Sequence, residues 1–160
     1  MKTKEDILAL LENVSDPEVP VLSVIDLGVV REVIVMNEET VEVVITPTYS
    51  GCPAMSMIAT QIRMELMAHG FREVKVREVL SPAWTTDWMS EAGKAKLNTY
   101  GIAPPQYSSK TNPHESAVIV PCPLCGSKDT RLLSQFGSTA CKALYQCNTC
   151  MEPFDYFKCH

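Results

Sequence analysis

The chain has 160 residues, 46% apolar and 21% charged, a composition that fits a packed core and excludes a disordered chain. A formal net charge of −5 argues against a general nucleic-acid binder, which needs a basic face. The longest unbroken aliphatic run is five residues, Ile7–Leu11, and Val33–Met36 is a run of four, all too short to cross a bilayer. Glu5 and Asp6 stand where an export signal needs an apolar stretch, so the sequence reads as a cytoplasmic protein. In that reducing setting its seven cysteines point to metal binding or catalysis rather than to disulfides.

Helix and strand signals alternate through the first hundred residues. Thr3 and Asp6 have capping-box spacing, and Ile7, Leu8, Leu11 and Val14 follow at helical intervals. Ser15–Ser23 carries two prolines and reads as loop. Val29–Met36 and Thr40–Thr46 are rich in β-branched residues and flank Asn37-Glu38-Glu39, a solvated turn, which predicts a β-hairpin with Val41, Val43 and Ile45 on one face. Pro53–His69 is predicted helical, with Gly70 just past its end. Val74 and Val76 alternate with Lys75 and Arg77 as a half-buried third strand. A short helix over Met89–Tyr100 stops at Gly101. The fold class is therefore α+β, a small sheet with helices on one face.

The chemistry changes near residue 110. Six of the seven cysteines fall between Cys122 and Cys159, and the charge is −6 over residues 1–107 but +1 over residues 108–160. Between the halves, Ile102–Glu115 holds three prolines among Ser, Thr, Asn and Gln and reads as a linker. The organisation predicted is a domain over 1–103, a linker over 104–116 and a second domain over 117–160.

In the first domain the segment Thr46–Met55 reads TPTYSGCPAM. Proline suits the first position of a helix. With Pro53 there, Cys52 becomes the N-cap, and its sulfur sits beside the unpaired amides of the first turn, where the helix dipole favours a thiolate. Gly51 lets the backbone turn, and Thr46, Thr48 and Ser50 offer hydroxyls to the sulfur. The plainer reading is a buried structural thiol. His69, at the far end of the same helix, lies about 25 Å away at 1.5 Å per residue, so a Cys–His hydrolase is poorly supported. Met55, Met57, Met64 and Met67 on this helix read as soft core filling, and Trp84 with Trp88 as either core or a partner-facing patch.

In the second domain, Cys122-Pro-Leu-Cys125-Gly126 and Cys147-Asn-Thr-Cys150 are two knuckles, each placing two thiolates three positions apart. The 21 residues between Cys125 and Cys147 suffice for a hairpin that brings them together, giving a closed tetrahedral four-thiolate site. Zinc is favoured and iron uses the same ligands. So small a β zinc ribbon needs its metal to fold. Cys141, Cys159 and His160 remain, either as packing and tail or as an additional metal site. No pair of helices carries the carboxylates and histidines of a di-iron oxygenase centre.

Asp16-Pro17-Glu18, Ile25-Asp26-Leu27-Gly28, Thr46-Pro47-Thr48 with Gly51-Cys52-Pro53, and Ser81-Pro82-Ala83-Trp84 together resemble the iron–sulfur assembly domain of SufT-like proteins over roughly residues 4–100. The resemblance implies functional importance for Cys52, as transient cluster ligand or reactive thiol, and for Asp26, with Thr48 beside the sulfur. Joined to the ribbon and to Phe136-Gly-Ser-Thr-Ala-Cys141-Lys-Ala143, it is similar to the PaaD family encoded with the ring-hydroxylating complex of phenylacetate degradation. That implies an accessory role in maturing the phenylacetyl-CoA epoxidase, with its reductase and the iron–sulfur assembly machinery as partners. A non-catalytic structural subunit of that oxygenase is the alternative, and neither nucleic acid nor membrane is an expected partner.

Overall fold

A computed structural model describes residues 1–49, 51–106 and 119–158. Its contacts divide the chain into two units: residues 1–84 with 88–90, and 85–87 with everything from Glu91 onward.

The first unit opens on α1 (Lys4–Leu11), whose capping box is formed as predicted: the Asp6 N–H donates to the Thr3 hydroxyl and the Thr3 N–H to the Asp6 carboxylate. A second capping box, Ser23 with Asp26, starts α2 (Val24–Leu27), a single turn in a stretch where the sequence shows no helical period. The hairpin forms from β1 (Val30–Val35) and β2 (Thr40–Ile45), antiparallel, with Val41, Val43 and Ile45 all buried. Next comes α3 (Ala54–Ala68), followed by β3 (Glu73–Glu78), which pairs parallel to β2. The order β1-β2-β3 puts the most apolar strand in the centre. α1 and α3 pack on each other and on this sheet, so the helices share one face as expected. Met55, Ile58, Ile62 and Leu66 form the buried stripe of α3, whereas Met57, Met64 and Met67 point off it and are exposed. Core filling therefore holds for Met55 alone among the four.

Gly28 ends α2 at φ +74°, and a β-carbon there would collide with the backbone carbonyl of Trp88. Both facts require glycine. Trp84 is buried, and its indole N–H donates to the Leu27 carbonyl at 2.8 Å. The Trp88 ring is covered by the Arg31 guanidinium, 3.7 Å from its centroid. The two tryptophans thus pack within their own unit and do not form a shared exposed patch.

The second unit contains α4 (Glu91–Tyr100), β4 (Ile102–Ala103), β5 (Thr130–Ser134), β6 (Lys142–Cys147) and β7 (Pro153–Phe157). Its sheet runs β4-β7-β6-β5. Composition places the last helix in the first domain, but the contacts group α4 with the ribbon. The physical reason is β4, which follows α4 directly and pairs parallel with Asp155 and Tyr156 of β7. A small aromatic core fills this unit: Tyr145 stacks on Phe154 and meets Tyr156 edge-on, beside Val120, Ala103 and Ala143. Of the expected linker, residues 107–116 lie outside the described residues, while Gln106 is tied down by a hydrogen bond to the Tyr156 hydroxyl.

Candidate functional sites

Two thiol sites emerge, one in each unit. In the second, a turn before β5 and a turn between β6 and β7 present Cys122, Cys125, Cys147 and Cys150 to a common point. All four sulfurs lie within 4.8 Å of one another, with Cys122–Cys150 at 3.8 Å and Cys125–Cys147 at 3.5 Å. A disulfide would need about 2.05 Å. Four sulfurs at roughly 2.3 Å from a central ion stand about 3.8 Å apart, so the set fits a tetrahedral metal.

Backbone amides support the sulfurs. The N–H groups of Thr149 and Cys150 both donate to Cys147 Sγ at 3.4 Å, and the Gly126 N–H donates to the Cys122 carbonyl at 2.8 Å. The Cys150 amide is the main reason that the Cys147 thiol is pulled down to about 6, well into the range where it is ionised at neutral pH. The knuckles are also stitched to each other. The Ser127 and Thr149 hydroxyls bond at 2.8 Å, and Asn148 donates to Asp129 through both backbone and side chain. None of these four outer residues is singled out by the knuckle spacing. Their signal is weak in sequence, because Ser, Asn, Asp and Thr are ordinary turn residues.

Cys141 is buried, 2.9 Å from the Thr139 hydroxyl, and among the described residues only the four knuckle cysteines form a metal-competent cluster. Cys159 and His160, the other members of the suggested additional metal site, lie outside the described residues.

The first-unit site is built on the turn between β2 and α3. Gly51 takes φ +76°, and the Cys52 N–H closes the turn on the Tyr49 carbonyl at 3.2 Å. The helix begins one residue later than the proline rule predicts. Pro53, at φ −68° and ψ −20°, occupies the cap position with no side-chain cap bond, so Cys52 precedes the cap rather than forming it. Cys52 lies in the turn that its own N–H closes on Tyr49, although Pro53 already has helical dihedrals and the Cys52 carbonyl accepts from the Met55 N–H at 3.3 Å. Its half-buried sulfur accepts from the Thr48 hydroxyl at 4.0 Å instead of from first-turn amides. Tyr49 is the residue that sequence reasoning misses. Its phenol donates to Glu18 at 3.3 Å, and burial, then the adjacent Cys52 and Glu18, hold its proton on well above the usual phenol range. Glu18 in turn is placed by Asp16, whose carboxylate accepts from the backbone of Glu18 and Val19. Two motifs far apart in sequence, Asp16-Pro17-Glu18 and Thr46–Cys52, therefore meet at the thiol.

Asp26 is buried in the single turn of α2. Its carboxylate accepts from the Ser23 N–H at 3.1 Å and the Ser90 hydroxyl at 3.2 Å, bonds that organise α2. Thr46 is buried, and its hydroxyl has no partner among the described residues; Ser50 lies outside them. Cys52 opens into a groove of about 540 Å³ between α3 and the end of β3. The described residues lining it include no histidine and no second cysteine.

An α+β unit carrying a lone, hydroxyl-flanked thiol, followed by a four-cysteine ribbon, defines the class of protein. Residues 4–79 match the family described as iron-sulfur cluster assembly protein, and residues 106–158 match the PaaD zinc beta ribbon domain. A protein of Escherichia coli K12, named as one subunit of a "Putative 1,2-phenylacetyl-CoA epoxidase", is 51% identical over 96% of this chain and 92% of its own length. The chain belongs to this PaaD family. An "Fe-S protein maturation auxiliary factor" of Porphyromonas gingivalis is 38% identical over 61% of this chain and 92% of its own. A solved DUF59 domain from Bacillus anthracis superposes with a TM-score of 0.55 at 28% identity, covering 59% of this chain and 90% of that one. No helix among the described residues is long and apolar enough to cross a membrane.

Proposed function

We infer that the chain is a non-catalytic maturation factor that assembles or delivers an iron–sulfur cluster to the phenylacetyl-CoA epoxidase complex, with Cys52 as the transient ligand. The observation that carries this reading is the contrast at Cys52: one half-buried thiol, softly held by Thr48, opening into a groove. A single thiolate can take a cluster as cargo and release it, whereas a closed four-thiolate site holds its ion as part of the fold. The ribbon is read as holding zinc, which suits its tetrahedral sulfur set and amide support. The client is read as the complex's reductase, whose electron transfer needs a cluster. None of the six described cysteines forms a disulfide, which agrees with a reducing, cytoplasmic setting.

The test is the epoxidase purified from a strain whose chain carries Cys52→Ala. Its reductase should be short of iron and sulfide, and the strain should fail to grow on phenylacetate. A fully iron-loaded, active epoxidase from that strain would sink the reading. The name of the Escherichia coli relative favours a second one, a structural subunit of the oxygenase. That is the outcome if adding purified chain to iron-loaded components restores activity.

A further inference from the structure

The groove at Cys52 carries more chemistry than a thiol. One wall is the outer face of α3, with Ser56, Thr60 and Arg63; the other is the end of β3, with Val76 and Glu78. Arg63 and Glu78 make no ion pair among the described residues, so a guanidinium and a carboxylate of opposite sign both face the groove uncommitted. At about 540 Å³ it is within the size range of small-ligand sites.

Spacing limits the occupant. Arg63 lies eleven positions after Cys52, roughly 16 Å at the helical rise. Helical side chains lean toward the N-terminus, which brings the guanidinium to roughly 10 Å from the sulfur. A tripeptide spans about 10 Å, whereas a single amino acid spans about 3.5 Å. Coordination limits it further. Iron–sulfur clusters are held by four thiolates, and the groove supplies one.

We propose that this groove binds a zwitterionic, tripeptide-length thiol of the glutathione type, its carboxylate on Arg63, its ammonium on Glu78 and its sulfur beside Cys52. The thiolate adds a second ligand to whatever iron Cys52 holds. Only this thiol element rests on reading Cys52 as a transient ligand; the charge complementarity does not.

Reduced glutathione is the probe, titrated anaerobically into the zinc-replete full chain and followed by amide chemical shifts. Saturable shifts are expected at residues 52–63 and 76–78. Arg63→Gln and Glu78→Gln should each weaken binding about fivefold, the scale of an exposed charge pair, with ribbon shifts unmoved. Free cysteine should bind more weakly than glutathione. Non-saturating shifts, shifts confined to the ribbon, or unchanged affinity in both variants would overturn the proposal. With ferrous iron added, the wild type plus glutathione should gain a thiolate–iron absorption band above that of glutathione and iron alone, and Cys52→Ala should not. Binding without that band would overturn the thiol element. The maturation reading is judged separately, by the iron content of the reductase from the Cys52→Ala strain.

Discussion

The two units handle sulfur in opposite ways. In the ribbon, four thiols converge within 4.8 Å, amides point at Cys147, and side chains beyond the ligands tie the knuckles together. At Cys52 one thiol leans on a hydroxyl at the edge of a groove, with Tyr49 and Glu18 behind it. The units also differ in what holds them together. The first buries a continuous aliphatic core of Ile7, Leu11, Ile45, Ile58, Ile62 and Leu66, all at 1% exposure or less. The second has a thin aromatic core in which Cys122 and Cys147 are themselves members. The aliphatic core of the first unit includes no thiol, whereas the core of the second includes two of the four clustered ones.

The largest expected effect is in the ribbon. Cys125→Ser should abolish stoichiometric metal binding and the dispersed amide signals of the second unit, while those of the first unit persist. Retained metal in that variant would remove Cys125 from the ligand set. The reverse perturbation is Leu66→Ala, a fully buried side chain on the α3 stripe. It should destabilise the first unit by roughly 2–5 kcal/mol in denaturant unfolding and leave the metal content unchanged. A coupled loss of metal would contradict the division between the units.

Trp84→Phe comes next. Losing the indole N–H leaves the Leu27 carbonyl without that donor, at a cost of about 1–3 kcal/mol. A neutral effect on stability would revive the idea that Trp84 faces a partner. The smallest effect is at the first capping box. The backbone N–H of Thr3, then its hydroxyl, holds the Asp6 carboxyl below its ordinary 3.8. Its contribution is therefore complete above that value and is lost as pH falls through the lowered one. Asp6→Asn should lower stability slightly at pH 7, and the gap to wild type should close in acid as Asp6 protonates. A gap that persists at low pH would mean the carboxylate charge contributes nothing to α1.

Periodicity makes most of the first unit legible. The β2 face, the α1 cap and the half-buried Val74 and Val76 all follow from alternation and cap chemistry at neighbouring positions. α2 is hidden because four residues are too few to show a helical period, although Ser23 and Asp26 repeat the Thr3 and Asp6 signature. Tyr49 and Glu18 cannot be paired from sequence, since 31 residues separate them and only the folded Asp16 turn brings them together. The four-cysteine cluster is legible because two Cys-x-x-Cys knuckles at hairpin spacing have few other uses where thiols stay reduced. The placement of α4 is not, because a two-residue β4 carries no pattern. Cys52 stands out in the sequence, but the turn closed on Tyr49, rather than the cap pattern, sets which groups its sulfur touches.

The division of labour between the two thiol sites is tested most directly by counting metals. Full-length wild type and Cys52→Ala would be reconstituted anaerobically with iron, sulfide and a small-thiol co-ligand (dithiothreitol) after zinc loading, and zinc, iron and sulfide measured per chain. The account predicts one zinc per chain in both proteins, and iron with sulfide in the wild type alone. Equal iron in the two proteins, or loss of zinc from Cys52→Ala, would contradict it.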